Sequence, residues 1–154
     1  MTSLGDAETE GRGEARAAAR ISMDYVLRTV RLLMELHDGS VLDALIFHSI
    51  VAANVGHLGR DGQAAWPAHE PPPDELRRPV SILSVATGLG LPFETVRRRV
   101  NRMIADGRCR RQSGGVIVPA FALAGRRGAG GADRNLANLR RCFRDLAKAG
   151  VNLG

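Results

Sequence analysis

The chain has 154 residues, of which 44% are hydrophobic and 25% charged, and its formal net charge is +6 at pH 7. This composition is ordinary for a soluble globular protein, and the length predicts one domain with a buried core. The two cysteines, Cys109 and Cys142, are too few for a disulfide framework and lack metal-ligand spacing, which favours two reduced thiols.

The amino-terminal third predicts a disordered leader followed by a helix. Residues 1–14 contain almost no large apolar side chains, so burial cannot offset the entropy of ordering them. They also lack the apolar stretch of a signal peptide, which favours a cytoplasmic location. From Ala15 the pattern is helical and stops near Asp38 and Gly39. One stripe recurs at three- and four-residue intervals: Met23, Val26, Leu27, Val30, Leu33, Met34 and His37.

A second helix is predicted over residues 41–55, with Ser40 as its N-cap. It is apolar on nearly all sides, which is typical of a central buried helix. Polar residues interrupt it and it is too short to span a bilayer comfortably, so we expect no membrane association. The stretch 57–79 that follows is rich in Gly and Pro and predicts a long loop. That loop either lines an effector pocket with Trp66, His57 and His69, or lies on the surface with one docked tryptophan.

Two short helical patterns then meet at a glycine-containing turn. Ser81 is suited to cap a helix through Thr87, with Ile82, Val85 and Ala86 turned inward. Gly88 and Gly90 are expected to supply backbone freedom for the turn, and Leu91 to fill the space between the helices. Pro92 suits the first position of the next helix because its missing N–H would be unpaired there.

The helix predicted over residues 92–106 has one apolar and one polar face. Val96, Val100, Met103 and Ile104 recur at helical spacing and indicate the core side. The opposite face carries Glu94, Thr95, Arg97, Arg98, Asn101 and Arg102. After Gly107, two strand-like runs within 108–118 flank Ser113, Gly114 and Gly115, which predicts a β-hairpin that bears Arg110 and Arg111.

The positive charge of the chain is concentrated in this region. Between residues 77 and 111 there are nine arginines and only two acids, Glu94 and Asp106. The rest of the chain is nearly neutral, because it holds 13 of the 22 basic residues and 14 of the 16 acids. A preference for arginine over lysine explains the residue type but not the clustering. Such focused positive charge is typical of a surface that binds a phosphate backbone.

The carboxy-terminal segment, residues 125–154, predicts a glycine and arginine linker and a last helix from Asp133 to Gly150. Leu136, Leu139, Phe143 and Leu146 share one face of that helix. This face and the stripe from Met23 to His37 are both candidates for a dimer surface, and either is equally suited to closing the core of the monomer.

The run SVATGLGLPFETVRRRVNRMIADGRCRR resembles the winged helix-turn-helix transcriptional regulators of bacteria. The resemblance covers residues 80–119, and the order of the surrounding helices is similar to that of the MarR-like regulators, in which terminal helices build a dimer. It implies a mainly α fold with a small β-hairpin wing: a leader (1–14), a winged helix-turn-helix domain with N-terminal helices (15–124), and a linker with a C-terminal helix (125–154).

The function expected is sequence-specific binding of double-stranded DNA by a homodimer that regulates transcription. The helix 92–106 is expected in the major groove, where its exposed residues contact bases and phosphates, and the wing 108–118 on the backbone or in the minor groove. Arg97 and Arg98 are the leading candidates, since an arginine fork can engage guanine O6 and N7 together. The complete set of candidate DNA-binding residues is Ser81, Glu94, Thr95, Arg97, Arg98, Asn101, Arg102, Arg110 and Arg111.

Two other classes of function compete with this one. A winged helix that binds a protein partner or RNA stays open, although six aromatic residues in the whole chain argue against a stacking platform for single strands. An enzyme is not expected, because the nucleophile, zinc-protease and phosphate-loop motifs are lacking. The four histidines, at 37, 48, 57 and 69, have no ligand spacing. We therefore expect no metal and no cofactor, and the sequence names no effector.

Overall fold

The computed structural model describes residues 4–59, 70–124 and 130–152. Within these ranges the chain is mainly helical with one antiparallel two-stranded hairpin, which confirms the coarse fold class. The elements are α1 (Leu4–Leu36), α2 (Val41–Val55), α3 (Ile82–Leu89), α4 (Phe93–Ala105), β1 (Arg110–Gln112), β2 (Gly115–Ile117), α5 (Ala120–Ala124) and α6 (Gly131–Lys148). Short 3-10 turns cover Gly56–Leu58 and Asp74–Leu76.

Helix α1 begins earlier than predicted. It starts at Leu4 rather than near Ala15, so residues 4–14 are helical where a disordered leader was expected. The run 15–19 holds four alanines, the residue of highest helix propensity. A helix extends readily from such a run, because each added residue forms one more hydrogen bond. The predicted end is confirmed, because Asp38 and Gly39 adopt positive φ angles of 52° and 85°.

Helix α2 lies at the centre of the fold, in contact with α1, α3, α4 and β2. The predicted N-cap is confirmed, since the Ser40 hydroxyl accepts a hydrogen bond from the Asp43 amide at 3.1 Å. By length and composition alone the window Val41–Leu58 is apolar enough to cross a bilayer. The predicted central position is confirmed, but the helix is only partly buried: Leu45, Ala52 and Ala53 are exposed, and one face of α2 enters the core.

The main core joins α2 to α3, α4 and the hairpin. Each element contributes apolar residues that are almost completely buried: Ile46, Phe47, Ile50, Val85, Ala86, Val96, Val100, Met103, Cys109, Val116 and Val118. The burial of these side chains is the principal stabilising contribution to this part of the fold.

A buried asparagine ties the end of α2 to the hairpin. The Asn54 side chain is fully buried, and its Nδ2 donates to the carbonyl oxygens of Arg78 at 2.7 Å and Val116 at 3.2 Å. Its Oδ1 accepts from the Val118 amide at 2.9 Å. One amide thereby joins two segments of backbone, and it supplies the partner of the buried Val118 amide.

Helices α1 and α6 form an antiparallel pair with a core of their own. Ile21, Cys142 and Leu146 are buried there, and Tyr25 and Val151 pack beside them. The ends of the pair are fixed by polar contacts: Arg134 lies 2.5 Å from the Glu35 carboxylate, and the Asn152 amide donates to Glu14 Oε1 at 2.8 Å.

Of the residues in the predicted stripes, only Leu146 is buried in this core. Met23, Val26, Leu27 and Met34 on α1 are exposed, and so are Leu136 and Phe143 on α6. The side of α1 that contacts α6 bears Ile21 and Tyr25 instead. The predicted stripe therefore does not close the α1–α6 core, because α1 has a second apolar side that the periodicity did not single out.

A polar cluster joins the end of α1 to the residues that follow α4. His37 is 4% exposed, and its Nδ1 accepts a hydrogen bond from Arg108 Nη2. Its Nε2 lies 3.4 Å from His48 Nε2, and the Arg108 guanidinium lies 5.1 Å from the centre of the Phe47 ring. Since an arginine only donates, Nδ1 must be unprotonated and the His37 ring neutral. Burial, with the positive charge of Arg108, lowers the pKa of His37 to about 4.

We expect Asn54→Ala to lower the free energy of unfolding by about 2–4 kcal/mol, because it leaves the buried Val118 amide without a partner and removes the hydrogen bonds to the Arg78 and Val116 carbonyls. Urea denaturation followed by circular dichroism measures the change. Asn135→Ala, at an exposed position of α6, is the matched control and should change stability little. Equal midpoints for the two variants would contradict the role given to Asn54.

The neutral His37 makes stability depend on pH. Its pKa is about 4 in the folded chain and about 6.5 when unfolded, so its contribution is complete above pH 6.5 and is lost as the pH falls toward 4. The loss amounts to about 3 kcal/mol. In His37→Gln the decline of stability between these pH values should be shallower than in the parent chain. Unfolding curves at fixed pH steps test this, and parallel declines would disprove it.

Candidate nucleic-acid interface

Helices α3 and α4 are joined by a tight turn. Ser81 caps α3, because its Oγ accepts from the Ser84 amide at 3.0 Å, and its hydroxyl lies on the surface. Gly90 has a φ of +64° and ends α3 in the left-handed conformation that favours glycine. Gly88 is helical and has no positive φ, so Gly90 alone supplies the freedom predicted for both. Leu91 packs against the core as expected.

The apolar side of α4 fixes which way its arginines point. Val96, Val100 and Met103 are buried against α2 and α3, as the periodicity predicted. Pro92 is the N-cap rather than the first helical residue, one position from the expectation. Because successive residues are about 100° apart around a helix, the burial of these three positions determines the direction of all the others.

Arg98 and Arg102 lie on the side of α4 opposite the core. Both are exposed, and neither side chain makes a hydrogen bond or ion pair within residues 4–59, 70–124 and 130–152. Their four-residue spacing places them one turn apart, about 6 Å along the helix axis. Thr95 and Asn101 are half-buried beside them. The result is an outward ridge of two free guanidinium groups.

Arg97 is paired within the helix. Its Nε and Nη2 donate to the Glu94 carboxylate at 3.0 and 2.7 Å. Their hydrogen bond holds the pKa of the Glu94 carboxyl below its usual range. By helical rotation Arg97 lies on the flank nearer Ile104, not at the centre of the ridge. Glu94 therefore orients Arg97.

Several arginines of the basic segment have internal roles. Arg99 donates to Asp43 at 2.6 Å and to Ser40 at 3.2 Å, which joins α4 to the start of α2. Arg108 donates to His37 at the end of α1. The side chain of Arg77 is fully buried, and its Nη2 donates to the Pro72 carbonyl at 2.9 Å. Burial lowers the pKa of Arg77 from its usual value. Clustering in the sequence thus overstates the number of arginines on the surface.

The hairpin lies beside α4 and presents its own arginines. Antiparallel pairing places Arg110 opposite Ile117 and Arg111 opposite Val116. Arg111 donates to Asn101 Oδ1 at 2.7 Å, which links β1 to the outer side of α4. Both arginines are exposed. Strand β1 is two residues shorter than the predicted run, and β2 has the predicted length but begins one residue earlier, at Gly115.

Asp74 holds the hairpin from the other side and was not found from the sequence. Its Oδ2 accepts from Arg110 at 3.0 Å, and its Oδ1 accepts from the Ala120 amide at 2.7 Å. The proline-rich residues around Asp74 offered no periodic signal, and the contacts span 36 and 46 residues. Residues 70–79 are therefore docked on the domain, where a long surface loop had been expected.

A third segment completes the base of the hairpin. Val80 exchanges two backbone hydrogen bonds with Val116, at 3.1 and 2.9 Å. Gly115 lies directly against this bridge, and a Cβ atom there would be 2.2 Å from the Val80 carbonyl oxygen. Gly115 also has a φ of +152°. Only glycine fits, which explains the second glycine after Ser113.

Parts of the suggested effector pocket and of the expected linker lie outside residues 4–59, 70–124 and 130–152. Trp66 and His69 of the suggested effector pocket lie outside the described residues, as do residues 125–129 of the expected linker. His57 is described and is exposed. Among the described residues, no group of three or more His, Cys, Asp or Glu side chains is arranged to hold a metal ion.

Comparison with known proteins identifies no relative. The chain matches no family model, and neither the curated proteins nor the solved structures contain a significant match. The geometry of the site is consequently the basis for any statement about function.

We expect Gly115→Ala to destabilise the protein by about 2 kcal/mol or more, because the new methyl group meets the Val80 backbone. Gly107→Ala is the matched control: Gly107 also has a positive φ, of +73°, but a Cβ atom added there would have no neighbour within 4 Å. Gly107→Ala should lower the stability by only about 1 kcal/mol, because its one cost is the positive φ that alanine must adopt. Thermal unfolding of both variants separates the two costs, and equal losses would show that the Val80 contact is unimportant.

Proposed function

We propose that this chain is a transcriptional regulator that binds double-stranded DNA sequence-specifically as a homodimer, through a winged helix-turn-helix. In this proposal α4 enters the major groove, and the hairpin is the wing that contacts the backbone or the minor groove. The observation that carries the proposal is the pair of free, outward guanidinium groups of Arg98 and Arg102 on a helix whose other side is fixed in the core.

The shape of this surface supports a groove ligand. The major groove of B-DNA is about 12 Å wide and admits one α-helix. Helix α4 has 13 residues and is exposed along its outer side, with α3 packed across it. The Asn101–Arg111 hydrogen bond keeps the hairpin beside α4, so that both elements face the same ligand. A duplex in contact with the ridge would therefore also meet Arg111.

The contacts divide into three groups. Arg98 and Arg102 are the main candidates for base edges or phosphates, because their donors are free. Arg97 has its donors oriented by Glu94 and is suited to a flanking phosphate. It contributes less to affinity than a free arginine, because the Glu94 carboxylate neutralises part of its charge. Arg110 and Arg111 of the wing, with the Ser81 hydroxyl at the start of α3, are suited to the backbone.

A homodimer would give the surface its specificity. Two copies related by a two-fold axis would place two α4 helices in successive major grooves, about 34 Å apart, on a palindromic site. One α4 reads only a few base pairs, so the second copy would supply the length of site that operator recognition requires.

We expect Arg98→Ala and Arg102→Ala to weaken binding to a selected operator. If the arginine contacts a guanine through two hydrogen bonds, its loss should reduce the binding free energy by about 1–3 kcal/mol at that base pair and by little on random DNA. If the arginine contacts a phosphate, its loss should weaken binding to every sequence. It should also reduce the slope of log binding constant against log salt concentration by about 1. Fluorescence anisotropy on duplexes obtained by selection from random sequence, repeated over a salt series, measures both effects.

Two controls accompany this test. Arg140→Ala removes an exposed arginine from α6, away from α4, and should leave affinity unchanged. Glu94→Gln should release Arg97 and strengthen binding to all sequences at low salt, because a negative charge leaves the interface. The proposal fails if the wild-type chain binds all duplexes with equal affinity, or prefers RNA or a protein partner to any duplex.

A further inference from the structure

Helix α1 has two apolar sides, and only one is covered. The side with Ile21, Tyr25 and Leu32 is buried or half-buried and packs in part against α6. The opposite side bears Met23, Leu27, Val30 and Met34, which we call the outer seam. Leu27 is 62% exposed and Met23 56%. A helix that only had to hold α6 would be polar there, as surface helices ordinarily are.

The outer seam has the spacing of a coiled coil. From Met23 to Leu27, Val30 and Met34 the intervals are four, three and four residues, so these positions alternate as d and a of a heptad. His37 continues the pattern but is buried by its contacts with Arg108 and α2, which ends the accessible part. At the other end the next a position is Arg20. The exposed seam is therefore about 17 Å long.

We propose that the outer seam is the dimer interface, and that it pairs with the same seam of a second copy in antiparallel orientation. Leu27 of one copy then lies level with Val30 of the other, and Met34 level with Met23. The two-fold axis passes between the two symmetry-related Leu27–Val30 layers, so the surface is self-complementary, as a closed dimer requires. The α6 helix lies on the opposite side of α1 and leaves the seam accessible.

The charges beside the seam select the second copy as the partner. On one flank, the e positions are Asp24 and Arg31. In an antiparallel pair e positions face each other across the seam, so Arg31 of each copy meets Asp24 of the other. The Arg31 side chain is 85% exposed and its contact with Glu35 is long, at 3.6 Å, so it is able to reach across. Asp24 is paired with Arg28 of its own helix at 2.5 Å but is 54% exposed, so Arg31 of the other copy would be a second cation on that carboxylate. Two symmetric ion pairs result.

The other flank is apolar in the same register. Its g positions are Val26 and Leu33, and in an antiparallel pair each Val26 meets Leu33 of the other copy. A parallel pair would instead set e against g, which places Asp24 and Arg31 against these apolar side chains. The pattern thus favours the antiparallel orientation on both flanks.

This interface rests on the homodimer of the proposed function, but not on DNA as the ligand. It is tested on the full chain without nucleic acid, by sedimentation equilibrium over a range of concentrations. We expect the wild-type chain to dimerise and Leu27→Glu to raise the dissociation constant at least tenfold, because the substitution sets two carboxylates in the seam. Circular dichroism should show the helix content unchanged, since Leu27 is exposed in the monomer.

Leu83→Glu is the matched control. Leu83 is also a helical leucine that is 62% exposed, but it lies on α3. It should dimerise like the wild type. A monomeric wild type at all concentrations overturns the proposal, and so does a dimer that Leu83→Glu weakens and Leu27→Glu does not.

Charge reversal and cross-linking test the orientation. Arg31→Glu should weaken the dimer, and Asp24→Arg in the same chain should restore it. A chain with Leu27→Cys mixed with one carrying Val30→Cys should form a disulfide between the two under mild oxidation, whereas Leu27→Cys alone should not link to itself. The native Cys109 and Cys142 are buried and do not compete. Self-linkage through position 27 would establish the parallel pair and refute the antiparallel one.

The outcomes separate the two proposals. A seam dimer that binds no duplex would refute the proposed function and leave this interface standing. If the chain binds an operator specifically and the Leu27→Glu variant remains a dimer, the proposed function stands and this interface is refuted.

Discussion

The burial of Val96, Val100 and Met103 is the constraint on which the candidate site depends. These side chains fit between α2 and α3, so α4 has one rotational setting, and the direction of every other side chain on it follows. Arg98 and Arg102 point outward because they are about half a turn from the buried positions. The arginines on either side of them are turned toward neighbours: Arg97 toward Glu94, and Arg99 toward Asp43.

The same residue type therefore serves different purposes within one short segment. Arg99 and Arg108 connect α4 and its end to the first two helices, through Asp43 and His37. Arg77 is buried beneath the proline-rich segment. An arginine suits such places because its long apolar stem packs while its fork donates to carbonyl and carboxylate oxygens. Between residues 77 and 111, the exposed arginines whose side chains have no partner within the described residues are Arg78, Arg98 and Arg102.

Around this site the fold is closed by polar contacts as much as by the apolar core. Asn54 and Asp74 each join three segments, and both approach the hairpin, which has only three residues in each strand. A hairpin of that size is marginal by itself in water. Its attachment to α2, to Val80 and to the start of α5 gives it a fixed position beside α4.

The sequence by itself determined the order of the helices other than α5, the turn after α3, the hairpin and the buried side of α4. Each of these depends on residues within a few positions of one another, through helical period, capping and glycine. What lies further apart was decided only by the tertiary structure. Asn54 and Val118 are 64 residues apart, and no local pattern connects them. The tertiary structure also decided which side of α1 packs against α6. Periodicity identifies apolar sides of a helix, but it does not show which one is covered when there are two.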